Sequence, residues 1–313
     1  SRLVQPDVIH SHSSKAGFLA RLLPFFGIKA AQVYHPHAYV GMRPNPGGLD
    51  PVYNIIESLL GRTAYTIVTS SGEKIFASER LRIPLERIYH CPNGVDSDLF
   101  CPISAEEKCR RREALGLPLD APILGFIGRS SAQKDPMILY RAFTRAAADI
   151  PIVLFHVGKG ELDTDLARLT RDLKMDRRIF RVAYMSTPAD FYHVVDGFIL
   201  TSRYEGFSLA ALEALASNLP MILSDAPGNR DLLELPLSHV WNALPGNIEG
   251  FARAIKAWYE KLEAGTAVNH RQIALSRFNI RDHYATIFEI YSELAAAVRS
   301  RQHRATGLAP LES

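Results

Sequence analysis

Two glutamates stand eight residues apart in the nearly charge-free run RYEGFSLAALEALA, residues 203–216. A buried carboxylate is costly unless something pairs with it, so Glu205 and Glu213 need partners. Ser208 is a good N-cap for a helix running from Leu209 to about Ser217. At about 100° per residue, Leu209, Leu212, Leu215 and Ala216 form an apolar stripe, and Glu213 lies at its edge one turn after Leu209. That position suits a polar ligand or a buried cation. An ionised carboxylate there accepts hydrogen bonds from two neighbouring hydroxyls, such as those of a ribose. Glu205 falls in the preceding loop, either beside the free N–H groups of the helix or as an exposed loop acid.

Other candidates follow strand-like runs. After PILGFIG, Arg129 and Lys134 lie five residues apart, with Pro136 opening a helix. Two cations at a helix N-terminus make a phosphate site, and a solvated surface loop is the competing reading. Gly158 and Gly160 follow PIVLFHVG, where they allow close approach to a ligand or simply a tight turn. His35 and His37 end or follow the strand AAQVYHP. Histidines two apart suit a metal poorly without acidic or cysteine partners, and none is near in sequence. Histidines packed in a strand-end turn are the alternative.

These residues need a scaffold, and the chain supplies strands and helices in alternation. Strand-length apolar runs occupy 7–12, 30–36, 65–70, 87–92, 122–128, 151–158, 179–184, 197–202 and 220–224, with helical patterns such as SKAGFLARLLPFF and ELDTDLARLTRDL between them. Such alternation means βαβ units and doubly wound parallel sheets. The polar stretch Asp96–Asp120 reads as a linker between two sheets, about four strands before it and about five after it. The pattern 281–300 is a closing helix, and 301–313 a disordered tail. The boundaries that result are a domain over 1–100, a second over 101–278, a helix over 279–300 that packs back toward the first domain, and the tail.

With 36 basic and 33 acidic residues, the net charge of +3 gives no case for nucleic-acid binding. Three cysteines without a CxxC pair imply no disulfide framework and a reducing, cytoplasmic setting. The absence of a long apolar run predicts no transmembrane helix. Lys15 and Arg21 are candidates for contact with an anionic membrane surface, or else belong to a solvated helix face.

Taken in order, GRSSAQKD (128–135), VGKGEL (157–162), YEGFSLAALEALA (204–216) and SDAPGNRDLL (224–233) resemble the GT-B glycosyltransferases, specifically the retaining family 4 enzymes with their E-x7-E motif. DVIHSHSSKAGFLARL, YHPHAYV and YHCPNGVD are also similar, so the resemblance runs from about Asp7 to about Leu294. It implies two Rossmann-like domains facing a cleft, with a nucleotide-diphospho-sugar donor, expected to be a UDP-sugar, on the C-terminal one. A saccharide or lipid-linked acceptor would lie against the N-terminal one. Catalytic roles are implied for His37, Arg129, Lys134 and Glu205. Donor contacts are implied for Gly128, Arg129, Lys134, Gly158, Arg181, Val182, Tyr184, Glu205, Gly206, Phe207, Ser208, Leu209 and Glu213. Within that set Arg129 and Lys134 hold the diphosphate, Glu213 the ribose and Glu205 the sugar, while Arg181 to Tyr184 match the loop where the base lies. No metal and no cofactor are expected, and polysaccharide assembly is the implied setting.

The sequence departs from the pattern in places. Ala38 takes the place of a glycine after the histidine, and Asn218 that of another glycine. The first strands and glycine-rich loop of the family are not seen before QPDVIHSH, which reads as an N-terminal domain lacking roughly 80 residues by the usual domain size. A nucleotide-sugar epimerase and a donor-binding module without turnover are the competing functions. A dehydrogenase lacks its G-x-G-x-x-G fingerprint here.

Overall fold

In the computed structural model, which describes residues 5–43 and 47–306, the chain divides into two units. One takes in the chain up to Asn93 and again from Arg281, and the other is Gly94–Ile280.

The first unit contains β1 (Val8–His12), α1 (Ser14–Leu22), β2 (Ala31–His35), α2 (Asp50–Gly61), β3 (Tyr65–Val68), α3 (Ser71–Ile75) and β4 (Ile88–His90). Its sheet is parallel, in the order β1-β2-β3-β4. Alternate strand residues point to opposite faces. His10 and His12 of β1 therefore share a face with Val33 and His35 of β2, which they oppose in register. Pro24 cannot continue the α1 ladder, so that helix stops at Leu22 and a 3-10 turn carries Leu23–Phe26. Arg21 is 1% exposed; it donates to Glu57 Oε2 at 2.8 Å and lies 4.0 Å above the Tyr34 ring. It is therefore part of the interior and not of a membrane-facing surface, whereas Lys15 is exposed.

The second unit runs α4 (Ala105–Ala114), β5 (Ile123–Ile127), α5 (Pro136–Ala147), β6 (Val153–Val157), α6 (Asp163–Asp172), β7 (Ile179–Val182), α7 (Pro188–Val194) and β8 (Gly197–Leu200). It continues with α8 (Leu209–Ala216), β9 (Met221–Ser224), α9 (Pro227–Leu233), β10 (Val240–Ala243), α10 (Ile248–Glu263) and α11 (Arg271–Arg277). The parallel sheet has six strands in the order β10-β9-β8-β5-β6-β7. β6, β8 and β9 are buried along their whole length, as strands covered on both faces must be. Trp258 of α10 packs so tightly on the sheet that a Cβ at Gly197 would come within 2.3 Å of its indole nitrogen. Helix α12 (Ile280–Thr306) then returns the chain to the first unit, where Ile287, Ile290 and Leu294 join Val33, Ile67 and Cys91 in one apolar cluster.

Three sequence expectations are corrected. The sixth strand, β10, falls in HVWNALP; it is short, half exposed and at the sheet edge, so its apolar pattern is weak. The polar stretch 96–120 is not a plain linker but contains α4, capped by Ser104, whose hydroxyl accepts from Glu107 N–H. Helix α12 extends past residue 300 to Thr306, and the rest of the expected tail, 307–313, lies outside the described residues.

Charge explains why α4 belongs to the fold. Lys108 Nζ and Arg112 Nη2 each reach the Asp196 carboxylate at 2.6 Å, and Ile123 N–H donates to it at 2.7 Å. Burial pushes the Asp196 carboxyl up, but these donors more than offset it and hold the group below the usual carboxylate range. A depressed pKa contributes stability that is present at neutral pH and lost as pH falls through the depressed value. Asp196→Asn should cost about 3 kcal/mol in denaturant unfolding at pH 7, because it leaves two cations without a counter-charge. The difference from wild type should shrink at acid pH, below the ordinary carboxyl value of about 3.9.

Candidate functional site

Strand order in the second unit reverses between β5 and β8, and ligands of open α/β sheets bind at the carboxyl ends of such a pair. The two loops that leave these strands are laced together. Arg203 N–H donates to Gln133 O at 2.8 Å, and the Gln133 amide donates to Tyr204 O at 3.2 Å. Thr201 Oγ1 donates to the carbonyls of Lys134 and Asp135. Arg203 pairs with Asp135, which is buried with φ 49° immediately before Pro136 opens α5. Within this frame Lys134 Nζ meets Glu205 Oε1 at 2.6 Å. Glu205 is 5% exposed, so it is a buried, paired carboxylate and not a surface acid. Arg129 is exposed on the same loop, its guanidinium at 3.4 Å from Gln133 Oε1.

The β6 loop closes against the first of these. Gly128 N–H donates to Val157 O and Gly158 N–H to Val182 O, while Ser130 N–H donates to Lys159 O. Gly158 has φ 143°, and a Cβ there would sit 1.9 Å from Gly128 O. Only glycine lets these two loops touch. Gly228, at the start of α9, does the same on the other side: its Cβ would lie 2.4 Å from Glu205 O and 2.3 Å from Gly206 O.

Helix α8 is capped as expected, with Ser208 Oγ accepting from Ala211 N–H. Its buried side is Ala211, Leu212, Ala214, Leu215 and Ala216. Leu209, placed in the buried stripe by the sequence, is 52% exposed. Leu212, Leu215 and Ala216 of the predicted stripe are buried, but the core is centred less than a quarter-turn further around, on the side of Ala211 and Ala214, which leaves Leu209 exposed and Glu213 at the border. Gly206 and Phe207 are buried in the turn ahead of the helix. The partner of Glu213 is neither a cation nor an orphan cavity but the Tyr192 hydroxyl, which donates to Oε2 at 2.6 Å. Burial raises the Glu213 carboxyl from its ordinary value, against the opposing pull of the Tyr192 bond.

Arg181 and Val182 end β7, and Tyr184 follows in the loop, 76% exposed. The Arg181 guanidinium pairs with Asp163 at 2.7 Å and reaches Ser130 Oγ at 3.4 Å. It therefore braces the loop after β5, while Val182 accepts through its carbonyl from Gly158 N–H, and the Tyr184 side chain is left exposed.

His37 belongs to the first unit. Its φ is 55° and that of Ala38 is 105°, in the region that favours glycine. The buried carboxylate of Glu73 holds this turn, accepting from Ala38 N–H at 2.5 Å and from Thr69 N–H and Oγ1 at 2.6 and 2.7 Å. Ala38 thus keeps the backbone shape of the glycine it replaces, at a conformational cost of about 1–3 kcal/mol. His37 Nε2 shares a hydrogen bond with His12 Nδ1 at 2.9 Å, and its ring stacks on His35 at 3.9 Å. Burial, aided by the neighbouring imidazoles, holds His10 and His37 down at about 4 and His35 at about 2. The three are neutral at physiological pH.

Tyr192, Asp163, Gly228, His10 and His12 are the structural partners that sequence reading did not single out. Tyr192 and Asp163 carry no local signal, since each meets its partner across 18 or more residues. His10 and His12 did carry one, alternating on a strand beside a second histidine-bearing strand.

Two parallel-sheet α/β units, with loops gathered at the switch point of the second, define a GT-B glycosyltransferase fold. Anabaena HepE in complex with UDP-glucose matches with a TM-score of 0.81 at 22% identity, over 92% of this chain and 79% of that one, a likeness that carries the fold. The family model for glycosyl transferases group 1 matches residues 107–271, and that for glycosyltransferase family 4 matches residues 1–99. The chain belongs to this glycosyltransferase family. Among its relatives is the Escherichia coli UDP-Gal:alpha-D-GlcNAc-diphosphoundecaprenol alpha-1,3-galactosyltransferase, 26% identical over 92% of this chain and 76% of that enzyme. A D-inositol 3-phosphate glycosyltransferase of Thermobispora bispora is 31% identical over 75% of this chain. The chain spans 58% of the length of that relative. Among the described residues no helix is long and apolar enough to cross a membrane.

A raised carboxyl pKa contributes stability at acid pH that is lost as pH rises through the raised value. Glu213→Gln keeps an acceptor for Tyr192 and removes the buried charge. Its melting temperature should exceed that of wild type at pH 7 and converge with it near pH 4. Lower stability of the variant at neutral pH would contradict the cost assigned here to the buried charge of Glu213.

Proposed function

We propose that this chain transfers a hexosyl group from a nucleotide-diphospho-sugar to a saccharide or lipid-linked acceptor, with retention of anomeric configuration. The observation that carries the reading is the Lys134–Glu205 contact across the switch point, beside Arg129 and two helix starts. The family membership and the relatives' own donors, UDP-galactose in the E. coli enzyme and UDP-glucose in the HepE complex, support a UDP-sugar here.

In this reading Arg129 and Lys134 hold the diphosphate, and Glu213 accepts from the ribose hydroxyls. Glu205 accepts from the sugar, and the amides around Gly206, Phe207 and Ser208 face the donor near the start of α8. As the bond from the anomeric carbon to the diphosphate oxygen breaks, its electron pair stays on that oxygen. Fixed cations favour this state over the ground state, because charge grows there as the bond lengthens. Glu205 positions Lys134 beforehand, so little reorganisation is left for the reaction itself. The acceptor hydroxyl adds to the face the diphosphate leaves, and its proton passes to the departing phosphate oxygen. Electrostatic stabilisation by side chains then does what a divalent ion does elsewhere, and turnover needs no metal. The pathway is assembly of a polysaccharide, at the cytoplasmic face of a membrane where the acceptor is lipid-linked.

A thermal-shift panel of UDP-, GDP-, ADP- and dTDP-sugars with EDTA present tests this. A UDP-sugar should give the largest rise, equivalent to about 2.7 kcal/mol at 100 times Kd. Lys134→Ala should abolish that rise. No shift with any nucleotide sugar, or one that depends on added metal, would overturn the reading. Epimerised donor recovered without acceptor would favour the epimerase instead.

A further inference from the structure

The carboxyl ends of β1 and β2 bring three imidazoles together within the first unit. His10, His12 and His35 each present a ring nitrogen, and these atoms lie within 4.8 Å of one another. The parallel register makes this obligatory: His12 is directly opposite His35, and His10 is two residues back on the same face. Sequence spacing alone argued against a metal here, because it considered only His35 and His37. The missing partners come from the neighbouring strand.

What the three nitrogens do is not settled by hydrogen bonding within the protein. His35 is 2% exposed, yet neither of its ring nitrogens has a partner. His10 Nε2 is also buried without one. Buried polar atoms are nearly always satisfied, so unpartnered ring nitrogens in one histidine cluster call for a ligand. The outer contacts are arranged as those of a metal site are. Tyr291 of α12 binds His10 Nδ1 and so leaves Nε2 as the nitrogen without a partner. His37 binds His12 Nδ1 and leaves that ring's Nε2 available. Partners of this kind fix ring orientation in metal-ligating histidines. Metal–nitrogen bonds of about 2.0–2.1 Å place the ligand atoms of a tetrahedral site about 3.4 Å apart, so side-chain rotation has to draw the three nitrogens together around the ion.

We propose that His10, His12 and His35 form a site for a divalent transition ion, with Zn²⁺ the leading candidate. An all-imidazole donor set suits Zn²⁺, Cu²⁺ or Ni²⁺ and is wrong for Mg²⁺ or Ca²⁺, which take oxygen ligands. His12 is exposed, so the ion keeps one position open to water or a ligand, the pattern of three-histidine sites. The ion ties β1 to β2 and, through the His12–His37 bond, sets the position of His37. This site is independent of the diphosphate chemistry proposed above, which remains metal-free.

The test is a titration of the tag-free, metal-stripped full chain with Co²⁺. A visible d–d band should saturate at one ion per chain and bleach on addition of Zn²⁺. Tyr291→Phe should weaken binding about 10- to 100-fold, and His35→Ala should weaken it further still. His12→Ala, at an exposed position that leaves the interior intact, should do the same without lowering the melting temperature of the metal-free chain. No saturable band, or a band unchanged in both His12→Ala and His35→Ala, would overturn the proposal. Should His35→Ala fail to fold, His12→Ala decides alone.

Discussion

The contact between Lys134 and Glu205 is the constraint around which the loops of the second unit are arranged. An ammonium and a carboxylate held at 2.6 Å, both largely out of water, stand on loops that leave different strands, 71 residues apart. Burying such a pair brings no large net gain, since desolvation consumes much of the attraction. Its presence at the switch point therefore makes better sense as preparation for a charged ligand than as a source of stability. Every other feature of the region keeps these two loops in register: Thr201 and Arg203 tie the second loop to the first, and Asp135 adopts a left-handed conformation to turn the chain into α5.

The glycines serve the same end. At Gly158 and Gly228 any side chain would drive into a carbonyl of the neighbouring loop, so the site is a stack of backbone segments in direct contact. Such packing brings peptide N–H groups and helix starts, the elements that bind phosphate, to the switch point. The buried strands β6, β8 and β9 form the base of this stack, and Phe251, Ile255 and Trp258 of α10 join the same apolar core. The candidate site sits on loops, and the buried sheet beneath them is its scaffold.

Much of this was legible in the sequence, for identifiable reasons. Strands buried on both faces write themselves as apolar runs, and Ser208 announces the start of α8 through its capping chemistry. Arg129, Lys134, Glu205 and Glu213 were legible because charge is rare in their surroundings. What the sequence hid were partners that arrive from elsewhere. Tyr192 reaches Glu213 from α7, Asp163 reaches Arg181 from α6, and His10 and His12 meet His35 through strand register. Helix α4 was hidden by its own polarity, because its stability comes from Asp196 and not from an apolar face. Leu209 was misplaced because a helix with leucine or alanine at nearly every position carries little phase information.

The central claim is that Lys134 serves the diphosphate and Glu205 the sugar, and one comparison separates these roles. Calorimetric affinities for UDP and for the UDP-sugar are measured on Lys134→Met, Glu205→Gln and the double variant. Lys134→Met should weaken both ligands, whereas Glu205→Gln, which keeps an acceptor oxygen for Lys134 Nζ, should weaken the UDP-sugar and leave UDP close to wild type. The account is contradicted if the two single variants lose equally for both ligands, or if Lys134→Met leaves UDP binding unchanged.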